Sequence, residues 1–168
     1  VASSDNTEKL AMEAGIPIIA LHEAKTIDIN IDGADELDPY MQLIKGGGGA
    51  LLREKIVAFN SKYNVIIADS GKEVMRLGKF KLPIETIPFA TENIIDLLEK
   101  EGLKPNLRKV KSEIYVTDEN NYIVDLDILG YTNLARLEEK LLKIPGIVET
   151  GLFLETTHKI IIGEVDST

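Results

Sequence analysis

Cysteine is absent from the 168 residues, which excludes disulfides, thiolate zinc sites and cysteine nucleophiles. No apolar run is long enough to span a bilayer and no stretch has the form of a signal peptide. The expectation is a cytoplasmic protein with no membrane partner. An excess of basic charge is missing too. The formal net charge of −9 argues against nucleic acid gripped through its phosphates, because that binding relies on clustered Lys and Arg. A small phosphate ester remains compatible, since Lys45, Arg53 and Lys72 lie close to glycine-rich segments that can offer backbone N–H groups. Histidine is scarce, and His22 and His158 stand far apart in the chain, so both read as structural or surface residues and no Ser-His-Asp arrangement has support. No Walker A pattern occurs, and G-x-G-x-x-G fails because Leu51 falls where the third glycine belongs.

What is present is an ordinary globular composition, 44% apolar and 28% charged, long enough for one generous domain or two small ones. Its most informative run is Lys45-Gly46-Gly47-Gly48-Gly49-Ala50-Leu51-Leu52-Arg53-Glu54. Four glycines in a row suit a place where backbone N–H groups approach a ligand closely or φ turns positive. A flexible linker would continue with polar residues, whereas here an amphipathic helix begins at once.

Periodicity divides the chain. Residues 1–82 alternate helix and strand: a helix over 7–14, strands over 16–21, 26–32 and 41–44, a helix over 50–63 and a strand over 65–69. That rhythm predicts an α/β, Rossmann-like open sheet, shortened at its N-terminus. Such sheets carry ligand groups at the carboxyl ends of their strands, which is where Asp32, Lys45 and the turn holding Lys72 fall. Residues 83–155 read as strand 84–89, a helix capped by Thr91 and stopped by Gly102, strands over 109–117 and 122–128, a helix with Leu134, Leu137, Leu141 and Ile144 on one face, and a strand over 147–154. This β-α-β-β-α-β order predicts a second, ferredoxin-like α+β domain. Residues 156–168 form a last strand and tail that can return to the first domain.

Carboxylates carry the candidate chemistry. Asp28, Asn30 and Asp32 before Gly33 start like a calcium loop, but the twelfth position is Pro39 in place of a glutamate. Alternating Ile27, Ile29 and Ile31 fit a strand that delivers Asp32 and Asp35 into a loop, with Glu36 and Asp38 in solvated turn positions. Glu54 is the best candidate for a general base. Leu52, Ile56, Phe59 and Tyr63 make the main apolar stripe of its helix, and Glu54 sits on a second face among Ala50, Val57 and Ala58. Desolvation there raises its pKa and the helix N-terminus lowers it, with the balance open. Lys45 reads as a phosphate clamp or an electrophile.

Asp32-Gly33-Ala34-Asp35-Glu36, the lysine-tetraglycine run with Arg53-Glu54-Lys55, Ile67-Ala68-Asp69-Ser70 with Lys72, Leu77-Gly78-Lys79-Phe80, the stretch from Asn121 to Asp127, and Pro145-Gly146-Ile147-Val148-Glu149 together resemble ribose-5-phosphate isomerase of type A over nearly the whole chain. The resemblance implies interconversion of D-ribose 5-phosphate and D-ribulose 5-phosphate in the pentose phosphate pathway, without cofactor or metal, by a homodimer or homotetramer. It implies that Glu54 moves a proton between C2 and C1 through an enediolate. Asp32, Asp35 and Lys45 assist ring opening and proton movement between oxygens. Gly46, Gly47, Gly48 and Gly49 offer backbone donors, and Lys72 holds the phosphate. Members of that family begin earlier, with a strand and a Gly-Thr-Gly-Ser-Thr phosphate loop. Val1 and the following Ser3 and Ser4 lie past that point, so Ser4 joins the expected substrate contacts and weak binding or slow turnover is expected of this chain. Two alternatives stand beside this reading: a non-catalytic sugar-phosphate sensor, and a carboxylate metal site at Asp28, Asp32 and Asp35.

Overall fold

The computed structural model describes residues 1–164, so residues 165–168 of the expected C-terminal tail lie outside the described residues. In chain order the first part holds α1 (Asp5–Glu13), β1 (Asn30–Asp32), β2 (Glu36–Leu37), β3 (Leu43–Ile44), α2 (Leu51–Phe59) and β4 (Asn64–Asp69). Then follow β5 (Leu82–Thr86), α3 (Thr91–Lys100), β6 (Asn106–Leu107), β7 (Lys109–Val110), β8 (Glu113–Ile114), β9 (Tyr122–Leu126), α4 (Leu134–Leu142), β10 (Ile147–Thr150), β11 (Leu152–Phe153) and β12 (Lys159–Gly163).

Local chemistry explains several boundaries. Ser4 caps α1 by accepting the Thr7 amide at 3.0 Å, and Asn133 caps α4 by accepting that of Arg136 at 2.9 Å. Gly102 follows α3 at φ +78°, a backbone state that costs glycine little. Thr91, expected as the cap of α3, is instead its first residue. Its buried hydroxyl donates to the Ile87 carbonyl at 2.9 Å and lies 2.9 Å from the Thr86 hydroxyl.

Three expected strands differ. Residues 16–21 are irregular and mostly exposed; no strand among the described residues pairs with them, and a strand without a ladder partner leaves its backbone to water. The stretch 109–117 is divided by Lys111 and Ser112, both at positive φ, into the hairpin β7–β8. The run 147–154 breaks at Gly151 into β10 and β11, which belong to different sheets.

β1, β4 and β12 form a parallel sheet in the order β1-β4-β12. Its alternation is plain: Ile66, Ala68, Ile160 and Ile162 face a core shared with Leu37, Leu43, Ala58 and Phe153, whereas Ile31, Ile67 and Ile161 are exposed on the other face. The second sheet runs β10-β5-β9-β6, antiparallel throughout. With α3 and α4 covering it, the first and last strands of a β-α-β-β-α-β unit lie side by side, the ferredoxin-like arrangement. Ile84, Ile94, Leu98, Val124, Leu126, Leu137 and Leu141 fill that core.

A small sheet, β11-β3-β2, joins the two. Leu152 pairs with Ile44 and Phe153 with Leu43. Because successive side chains point to opposite faces, the first pair enters the ferredoxin-like core and the second enters the core under the parallel sheet. Gly151 lets the chain cross between sheets: its amide donates to the Pro83 carbonyl at 2.8 Å and its carbonyl accepts the Lys45 amide at 2.9 Å. A Cβ there would collide with the Lys45 carbonyl oxygen and lie 2.9 Å from Pro83 Cδ. Gly151→Ala is expected to lower stability by about 1–3 kcal/mol, the usual cost of overpacking, read from the urea midpoint at constant m; an unchanged midpoint would contradict this packing.

Candidate active site

Lys45 follows β3 directly, so its backbone is fixed by the buried Leu43 and Ile44 and its side chain ends inside the molecule, 3% exposed as a residue. The ammonium donates to the Gly33 carbonyl at 2.5 Å, lies 3.0 Å from Asp32 Oδ2 and 3.5 Å from Glu54 Oε2, and stands 5.6 Å from the centre of the Phe153 ring. Asp32 arrives at the end of β1 and accepts its neighbour's Gly33 amide at 2.8 Å. Asp35 arrives from the next loop, where Oδ2 accepts the Gly47 amide at 2.6 Å. Strand ends and the glycine loop thus bring Asp32, Asp35, Lys45 and Glu54 to one place.

α2 reverses the expected burial. The bulky stripe faces outward: Phe59 is 84% exposed, and Ile56 and Tyr63 are exposed as well. Leu51, Val57 and Ala58 are the buried positions. Small Ala58 lets the helix lie close to Ile66 and Phe153, and Glu54, on the side of the narrow face, is carried in with it. Its side chain is 17% exposed. At 3.5 Å Lys45 is an ion-pair partner, and among the described residues no hydrogen-bond donor reaches Oε2. Burial therefore dominates. It pushes the Glu54 carboxyl up to about 7; the Lys45 charge opposes this, and the Asp32 and Asp35 charges add to the rise. A carboxyl half ionised at neutral pH can both take up a proton and give it back.

The glycine loop is a tight turn in which the Gly49 amide donates to the Gly46 carbonyl at 2.9 Å. Gly46 and Gly49 have φ of +103° and +84°, and a Cβ on Gly47 would collide with Asp35. Not every amide is free to bind a ligand, because those of Gly47 and Gly49 are already committed.

Other expected contacts lie apart. Ser4 spends its hydroxyl on Thr7, as donor to Oγ1 and acceptor from the amide. Arg53 is held by Asp5, Asp118 and Glu119 on the opposite flank of α2, so it is not available to a phosphate. Lys72 ends a short 3-10 turn after β4, at the same strand-end edge as Asp32, and has no ion-pair partner among the described residues. Glu36 and Asp38, expected in water, are buried: Glu36 accepts the amides of Gly78 and Phe80, and Asp38 those of Tyr40 and Gln42. Asp28 pairs with Lys62 on the surface, away from the partners of Asp32 and Asp35, so these three acids do not gather round a cation. His158 accepts the Asn64 amide and packs on Tyr63. The 390 Å³ cleft beside Arg53 and Ile56 lies on the other flank of α2; the Glu54 cluster is marked by its charges rather than by cavity size.

A lysine, two aspartates and a desolvated glutamate thus surround a glycine turn. The model of ribose 5-phosphate isomerase A (phosphoriboisomerase A) covers residues 1–167. The chain belongs to the ribose-5-phosphate isomerase A family. It is 49% identical to the ribose-5-phosphate isomerase A of Listeria monocytogenes over 167 residues, 99% of this chain and 75% of that protein. With the Ruegeria pomeroyi isomerase identity is 47%, covering 99% of this chain and 66% of that one. A ribose-5-phosphate isomerase structure in complex with phospho-erythronic acid superposes with TM-score 0.93 at 36% identity, over 98% of this chain and 73% of the other. The Plasmodium falciparum isomerase gives TM-score 0.93 at 39% identity, over 99% and 74%.

Family motifs pointed to the acids and the lysine, but not to the residues that hold them. The Phe153 ring has the ammonium groups of Lys45 and Lys55 5.6 Å and 5.0 Å from its centre, and Arg108, just after β6, reaches the glycine loop. Each is separated from the loop by tens of residues, so no local pattern marks it.

The raised carboxyl has a cost for folding. A Glu54 pKa above its unfolded value means that the native state holds this proton more tightly, so the group favours folding below the unfolded value of 4.5 and that contribution is lost as pH rises through about 7. Glu54→Gln is therefore expected to be more stable than the parent at pH 8, by on the order of 2–3 kcal/mol, and the gap should close toward pH 4. Urea midpoints at the two pH values check it; a variant less stable at pH 8 would contradict a desolvated base.

Proposed function

We propose that this chain interconverts D-ribose 5-phosphate and D-ribulose 5-phosphate, with Glu54 as the proton carrier. The observation that carries the assignment is the buried Glu54 carboxyl at about 7 beside the Lys45 ammonium, in a chain of an isomerase family. In the open-chain aldose, the Glu54 carboxylate takes the proton from C2. The C2–H electrons form the C1–C2 double bond, and the carbonyl pair moves onto the C1 oxygen as an enediolate. Lys45 is assigned to stabilise that oxygen by charge in a water-poor setting. Asp32 and Asp35 are assigned ring opening and movement of the hydroxyl proton from the C2 oxygen to the C1 oxygen. Glu54 then returns its proton to C1, leaving the carbonyl at C2. No external oxidant or reductant is required.

Lys72 and free backbone amides of the glycine turn are assigned to the substrate's anionic and hydroxyl groups. The same reading places the enzyme in the pentose phosphate pathway and the cytoplasm, as a homodimer or homotetramer. It divides the chain into a catalytic domain over 1–82, a ferredoxin-like domain over 83–155 and a returning segment from 156.

With Glu54→Gln, kcat is expected to fall on the order of 10²–10⁴-fold, the usual contribution of a general base, while ribose 5-phosphate binding measured calorimetrically is kept. In the parent, kcat/KM should rise with pH along a limb centred near 7. Turnover preserved in Glu54→Gln would overturn the assignment. Parent protein that binds ribose 5-phosphate without ever forming ribulose 5-phosphate would favour a sensor.

A further inference from the structure

Three of the four carbonyl groups of the glycine turn are held by side chains of the later part of the chain. Arg108 Nη1 donates to the Gly46 carbonyl at 2.7 Å and to the Gly47 carbonyl at 3.1 Å, and the Tyr115 hydroxyl donates to the Gly48 carbonyl at 2.9 Å. Arg108 is itself fixed: Nε and Nη2 lie 3.0 Å and 2.5 Å from the two oxygens of Asp125 on β9, and the side chain is 13% exposed. Tyr115 packs so closely that a Cβ on Gly49 would collide with its ring.

Peptide planarity turns this clamp into a statement about the opposite side. No peptide bond here is cis, and in a trans peptide the C=O of one residue and the N–H of the next point in opposite directions. The Gly46 carbonyl points at Arg108, and the Gly47 amide on the same peptide accordingly points at Asp35, 2.6 Å from Oδ2. The Gly47 carbonyl also points at Arg108, so the Gly48 amide on that peptide points away from Arg108, as the Gly47 amide does. Unlike the amides of Gly47 and Gly49, it has no acceptor among the described residues. Gly48 is exposed, and nothing lies within 4 Å of where its Cβ would be.

We propose that Arg108, locked by Asp125 and assisted by Tyr115, is a positioning residue for the isomerisation: it orients the tetraglycine turn so that the Gly48 N–H is held as a fixed donor for a substrate oxygen on the Asp35 side. The proposal rests on Glu54 as the base and on the reaction taking place at this cluster. Its physical sense is preorganisation. A donor already aimed where negative charge develops needs no reorganisation during the reaction, and a tetraglycine turn cannot hold an orientation by itself, since glycine is the least restricted residue. The rigidity comes from the second sheet.

Arg108→Lys keeps a cation opposite Asp125 but cannot fork to Asp125 and two carbonyls at once. Tyr115→Phe removes one hydroxyl from a partly open position and leaves the ring packing. For Arg108→Lys, kcat is expected to fall on the order of 10²-fold, as for a small misplacement of reacting groups, with KM for ribose 5-phosphate changed far less. Tyr115→Phe should shift the same ratio in the same direction by a smaller factor. In Arg108→Ala, millimolar guanidinium should restore part of kcat and leave the parent unaffected. Unchanged kcat in Arg108→Lys, a rise confined to KM, or no recovery with guanidinium in a folded Arg108→Ala protein would overturn the proposal. Glu54→Gln assayed alongside separates the two ideas. If it is inactive while Arg108→Lys behaves as the parent, the positioning role fails alone; if it remains active, the base assignment fails first.

Discussion

A lysine ammonium almost without access to water organises this site. Lys45 has a backbone carbonyl, Asp32, Glu54 and an aromatic face around it, and a buried cation is tolerable only when it is paired and hydrogen-bonded. Each partner is thereby given a duty. Asp32 must end β1 at the right height, Gly33 must present its carbonyl, and Phe153 must lie flat beneath. Glu54 is left as the partner that is charged only part of the time. Its excess cost of ionisation is the property on which its proposed role as a reversible base rests.

The fold meets these demands by joining two cores through very short strands. β3 and β11 are each two residues long, yet their alternation sends one pair of side chains into each core. Lys45 comes immediately after one and Gly151 immediately before the other. A disturbance of either core is therefore felt at the ammonium. The later part of the chain contributes in another way, because Arg108, just after β6 and locked by Asp125 of β9, and Tyr115, just after the β7–β8 hairpin, grip the glycine turn.

Legibility in the sequence followed the range of the interaction. Short-range signals were readable: Gly102 as a stop, the leucine face of α4, and the apolar run of β4. The cluster was readable because Asp32, Asp35, Lys45 and Glu54 stand at strand ends or in a helix first turn, where local pattern is strong. The buried face of α2 was not, since it is chosen by Phe153, Ile160 and Ile162, about a hundred residues on. Glu36 misled for the same reason: its partners, the amides of Gly78 and Phe80, lie in a distant loop. Residues 16–21 misled differently, because a short apolar run becomes a strand only where a neighbour supplies the ladder.

The central claim is that Glu54 is a desolvated carboxyl poised by Lys45 and Asp32. Carbon-13 NMR of glutamate carboxyl groups tests it most directly, with the Glu54 signal assigned by its absence from Glu54→Gln. The account expects that signal to titrate near 7 and to move to lower pH in Asp32→Asn, where a like charge has been removed. A Glu54 signal titrating at the ordinary glutamate value, about 4.3, and indifferent to Asp32→Asn would contradict it.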